Sequence, residues 1–219
     1  MTLNDGLFNL GHILSVQDVV ALLKVVLEAG RYIRRFHQPP GMYEVLEHHA
    51  RLELHDIKGK KATYFKDQKV RFLQNHIMAY QDQAWGDGNI FADYKCSPGV
   101  AVDRYQQGNV WRILISLRQT KHKGDLETFH IERSIEDGFI KTIEHFQARI
   151  DHPTQHLSMS VTFPVKRFPK HVAVVAQNTN RTIELNVSNI QTLPNGQTLA
   201  TWSMEYPKVG EAYNLRWEW

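Results

Sequence analysis

Few side chains in this sequence have both the type and the spacing to do chemistry, and most of them converge on two stretches. The first is Ala84-Trp85-Gly86-Asp87-Gly88-Asn89. Trp85 and Asp87 stand among small and turn-forming residues, which reads as a tight connection presenting an aromatic ring and a carboxylate. Asp82, Asp87, Asp93 and Asp103 gather nearby in sequence. Two such carboxylates holding a metal would support phosphodiester hydrolysis, but their spacing matches no metal loop, and Asp87 reads first as a turn residue.

The second stretch is Arg118-Gln119-Thr120-Lys121-His122-Lys123, with Arg112 and Arg133 on the runs that flank it. Loops at the end of a rigid β scaffold are where binding residues gather. Basic side chains beside aromatic ones suit phosphate or single-stranded nucleic acid. The plain alternative for the same loop is a solubilising turn.

Cys96 is the single cysteine, so the chain forms no internal disulfide, which fits a reducing cytoplasm. As a nucleophile it would need a lowered pKa and a neighbouring base; Lys95, His76 and His122 are the candidates in sequence. A lone cysteine more commonly packs as a small apolar residue. Twelve histidines invite a metal reading, yet neither His48-His49 nor His145, His152 and His156 has zinc-ligand spacing. The glycine patterns of nucleotide loops and the GxSxG elbow are absent. No metal and no cofactor is expected, and catalysis is left uncertain with the balance against it.

These residues need a scaffold, and alternation supplies one. Trp111, Ile113, Ile115 and Leu117 alternate with Arg112, Ser116 and Arg118, as do Phe129, Ile131 and Ile135 with His130, Glu132 and Ser134. The polar break between them predicts a central hairpin over Val110–Ile135. Residues 43–56 and 62–73, joined by Asp56-Ile57-Lys58-Gly59, predict a second hairpin with Tyr64, Val70 and Phe72 inward. For residues 139–150 helix spacing competes with the Asp137-Gly138 turn signal, and the hairpin is favoured. From Leu157 onward short alternating runs are separated by turns near 178–180, 194–196 and 207–210.

The expected fold is therefore mainly β, an antiparallel β-sandwich led by an N-terminal amphipathic helix. That helix starts after Ser15 and stops before Pro39-Pro40-Gly41, with Val19, Leu23, Val26 and Leu27 on its apolar face. Its plain role is to dock on the β core; its sharper role is to meet a partner. Three parts are expected: a lead over 1–40, a β-rich domain over 41–150, and a sandwich-like unit over 151–219 that is either separate or continuous with it.

The 219 residues are 42% hydrophobic, enough for a real core. A net charge of +3 permits nucleic-acid contact without arguing for it. The opening residues lack a signal-peptide pattern, and the window from Val16 to Ala29 carries Asp18, Lys24 and Glu28, so no membrane span is expected. The leading functional expectation is a non-catalytic binding or assembly module in a cytoplasmic complex. It would meet a protein partner through the helix or through the loops near Trp85 and His122. A nucleic-acid-binding protein is the first rival and a hydrolase using Cys96 or the Asp87 region is the second. Oligomeric state is not legible.

Overall fold

Mostly apolar inward positions, with His48, Lys66 and Gln68 among them, give β1 (Tyr43–Leu54), with a bulge between Val45 and Glu47, and β2 (Lys61–Phe72), which pair antiparallel with Leu52 opposite Tyr64. Asp56 closes the turn between them by accepting the backbone N–H groups of Lys58 at 2.7 Å and Lys61 at 2.6 Å. Tyr64, Val70 and Phe72 point into the core, as the alternation predicts. A computed structural model describes residues 41–219; the expected helix, with Val19, Leu23, Val26 and Leu27, lies outside the described residues.

The strands that follow are β3 (Ile77–Ala84), β4 (Asn89–Ser97), β5 (Val100–Gln107), β6 (Val110–Lys121), β7 (Leu126–Glu136) and β8 (Ile143–Arg149). After these come β9 (Thr154–Phe163), β10 (His171–Ala176), β11 (Arg181–Glu184), β12 (Ile190–Thr192), β13 (Thr198–Glu205) and β14 (Ala212–Glu218). Among the described residues they form three sheets. The largest has the order β12-β13-β9-β1-β2-β7-β4; the others are β11-β10-β14-β8 and β3-β6-β5. The fold is mainly β and mostly antiparallel, with β1 and β9 running parallel.

The predicted central hairpin does not form. β6 and β7 are consecutive and extended, with Ile113, Ile115, Leu117, Phe129, Ile131 and Ile135 all buried. Yet β6 lies between β3 and β5, while β7 lies between β2 and β4 in another sheet. The connection is pinned to β2 instead: Gly124 N donates to Phe72 O at 2.8 Å and Phe72 N donates to Asp125 O at 3.0 Å. Alternation reports which face is buried but not which strand supplies the hydrogen bonds. A strand with neighbours on both sides satisfies more backbone groups than a lone hairpin does.

The favoured hairpin at 136–139 fails for a related reason. Residues 143–149 are a strand rather than a helix, but β8 pairs with β14. The turn is held by the β1–β2 connection, through Asp137 N to Lys60 O at 2.7 Å and Phe139 N to Gly59 O at 3.1 Å. Gly59 allows this approach: its φ is +70°, and a Cβ there would lie 1.8 Å from Phe139 O.

Two pairings cross residue 150, β1 with β9 and β8 with β14. Residues 41–219 cohere as one unit. The core runs through all three sheets, from Trp217, Phe163 and Leu157 to Phe72, Phe129, Tyr80 and Ile115. Tyr80 of β3 stacks on Phe129 of β7 with ring centroids 3.9 Å apart, joining the small sheet to the large one. Among the described residues no helix is long and apolar enough to cross a membrane.

Candidate binding pocket

The registers of β1, β2, β7 and β4 set Leu52, Tyr64, Arg133 and Tyr94 opposite one another in a single row. Cross-strand partners share a face, so this row looks inward. Arg133 thus occupies a core position, and only 6% of it is exposed. Its guanidinium carbon lies 4.5 Å from the centroid of the Tyr64 ring. Its Nε and Nη1 are buried and meet no hydrogen-bond acceptor among the described residues. Burial drives the Tyr64 hydroxyl to a raised pKa, and the Arg133 charge opposes that shift. A buried, incompletely paired cation is among the most costly things a core can contain.

Nearby charges are already committed. Asp82 on β3, 1% exposed, accepts from Lys66 Nζ at 2.5 Å and from the Tyr94 hydroxyl at 3.1 Å. Lys66 Nζ also reaches the Tyr80 hydroxyl at 3.0 Å, and that hydroxyl in turn donates to Gln68. This network ties the two sheets together and leaves Arg133 outside it.

Arg133 lines a cavity of about 250 Å³. Tyr64, Trp85, Ile135, Phe139 and Phe146 form much of its wall. The loop carrying Trp85 is pressed on the 136–138 turn: Gly88 has φ of +71°, and a Cβ there would stand 2.2 Å from Glu136 O. Asp87 and Lys141, both exposed, form an ion pair at the rim. Glu144 is 5% exposed, and its Oε1 accepts the Lys141 N–H at 2.6 Å. Burial pushes the Glu144 carboxyl above its ordinary range.

A smaller cavity of about 60 Å³ shares Tyr64, Gln83, Trp85 and Gln147 with the first. His48 and Lys66 line it. Burial, helped by the Lys66 charge, pushes the His48 imidazole down to about 3, so His48 is neutral there.

The structure therefore brings together three of the residues expected from sequence: Trp85, Asp87 and Arg133. Arg112 lies elsewhere, opposite Gln83 on β3 and Tyr105 on β5. Arg118, Lys121, His122 and Lys123 occupy the far end of β6 and the crossover that follows. Lys121 pairs with Glu127 at 2.7 Å, and the His122 ring packs edge-on to His76. The basic loop is a connection between sheets, not a hairpin tip, and Arg133 lines the cavity.

Cys96 is half-buried and free, and burial pushes its thiol up, away from the thiolate a nucleophile needs. Among the described residues no three His, Cys, Asp or Glu side chains are placed to share a metal ion. Sequence reasoning missed Tyr64, Glu144 and Phe146 as pocket residues, and missed the Lys66–Asp82 pair. One signal was available. Arg133 has the same parity as Phe129, Ile131 and Ile135, and Lys66 the same as Tyr64 and Val70, which puts each cation on a core face.

No protein-family description and no curated protein matches this chain. Its fold is similar to that of part of an M1 zinc metallopeptidase mutant from Deinococcus radiodurans bound to a Tyr-Ser-Ala substrate. The TM-score is 0.50 at 9% identity, over 79% of this chain and 42% of that one. A two-domain M1 zinc metallopeptidase mutant bound to L-tryptophan gives the same TM-score, identity and coverage. Legionella pneumophila aminopeptidase A in complex with aspartic acid gives a TM-score of 0.47 at 12% identity, covering 82% of this chain and 22% of that one. This chain thus spans less than half the length of each of these structures, and at such identity the likeness is one of fold.

Proposed function

We propose that this protein is a non-catalytic binding module that engages a protein partner at the mouth of the Trp85–Arg133 cavity. The observation that carries the reading is the buried Arg133 guanidinium, two of whose nitrogens have no acceptor within the described residues. A core tolerates such a group where something from outside completes it. Catalysis has less behind it: the Cys96 thiol is pushed up, and the 219 residues contain no HExxH pair of the kind zinc peptidases carry on a helix. The nucleic-acid reading has less as well, because Lys121 is already paired and Arg133 faces the cavity.

In the same reading the sheets pack as the layers of a β-sandwich, and the free Cys96 suits a reducing cytoplasm. The test is co-purification with the full chain beside a Trp85→Ala variant. The reading expects a partner that the variant fails to retain. A chain that captures nothing, or a partner held equally by both, overturns it.

A further inference from the structure

We infer that the cavity takes a single carboxylate carried on an apolar body about the size of a phenyl group, with the carboxylate at Arg133. This rests on the reading that the cavity is a binding site, and names the chemistry of its occupant.

The charge follows from what the wall lacks. Asp82 is taken by Lys66 and Tyr94, and Asp87 by Lys141. Arg133 is 6% exposed, and its Nε and Nη1 have no acceptor among the described residues. Carboxylate oxygens are the acceptors a guanidinium pairs with most strongly. Glu144 sets the upper limit. It is buried in the same wall and opposes each added negative charge, so a dianion such as phosphate is opposed about twice as strongly as a single carboxylate.

The apolar body follows from size and surface. A cavity of about 150 Å³ holds benzene, and this one is about 250 Å³. The rings of Tyr64, Phe139 and Phe146 with Ile135 offer an apolar wall beside the charge. Trp85, half-buried, adds a further aromatic face to the lining.

Two sources present this chemistry, a free aryl-alkyl carboxylate and the C-terminus of a chain ending in an aromatic residue. The test titrates the full protein with 3-phenylpropionate, its uncharged amide and inorganic phosphate, reading affinity by calorimetry and the Arg133 Nε–H signal by NMR. The acid is expected to bind at least about tenfold tighter than the amide and to shift that signal. Phosphate is expected to leave the signal in place. Arg133→Met removes the preference for acid over amide. Should that variant fail to fold, the wild-type acid and amide comparison still decides.

A Gly-Ala-Phe peptide with a free or an amidated C-terminus adds the second arm. Tight binding of the free-ended peptide points to a chain end, and of 3-phenylpropionate alone to a small molecule; either supports the inference. Acid and amide binding alike, neither binding, or phosphate displacing the acid overturns it. A partner retained by Arg133→Met, together with acid and amide binding alike, removes this inference and leaves the binding-module reading. Arg133-dependent carboxylate binding with no partner recovered does the reverse.

Discussion

Lys66 Nζ of β2 lies 2.5 Å from Asp82 Oδ1 of β3, so an ion pair bridges the large sheet and the three-stranded sheet inside the core. Both side chains are almost wholly buried. Desolvating two charges costs about as much as their attraction returns, so the pair adds little net stability, whereas breaking it strands one charge. Lys66→Met or Asp82→Leu alone is expected to cost about 3–5 kcal/mol in urea unfolding. The double variant is expected within about 1–2 kcal/mol of wild type. A double variant as unstable as either single would show that the pair is a net source of stability.

His48 makes the fold acid-sensitive. Its imidazole is pushed down to about 3 by burial, and the ordinary value is 6.5. Between those two pH values the unfolded chain binds a proton that the folded chain refuses. Stability therefore falls as pH drops below about 6, by up to about 1.4 kcal/mol per pH unit. His48→Leu is expected to flatten this slope between about pH 6 and 4. Chemical denaturation at stepped pH checks it; an unchanged slope would place the acid sensitivity elsewhere.

Gly88 sets how closely the Trp85 loop approaches the 136–138 turn. Its φ is +71° and a Cβ would meet Glu136 O at 2.2 Å. Gly88→Ala is expected to cost at least about 1–3 kcal/mol and to spread the mouth of the cavity. The measurement is thermal unfolding together with Trp85 fluorescence. Wild-type stability and an unchanged spectrum would mean that the loop does not depend on that contact.

Much of this architecture can be read from alternation alone. The period of two places Ile113, Ile115, Leu117, Phe129 and Ile131 on buried faces, and each is buried. It says nothing of partners, which is why β6 and β7 read as a hairpin although they sit in different sheets. Strand choice is settled by long-range backbone bonds such as Gly124 N to Phe72 O, and no local pattern encodes those. The pocket is legible in part. Trp85 and Asp87 announce a loop, and Arg133 stands in a core register. Glu144 and Phe146 arrive only because β8 pairs with β14, 67 residues further on as counted between Gln147 and Asn214.

On the proposed reading, Arg133 is kept for an occupant and not for the fold. Thermal unfolding of Arg133→Met without any added ligand tests it most directly. Met fills similar space without an unsatisfied cation, so its Tm is expected to equal or exceed that of wild type. A drop of about 3 kcal/mol or more in unfolding free energy would contradict it, because Arg133 would then be part of what holds the sheets together.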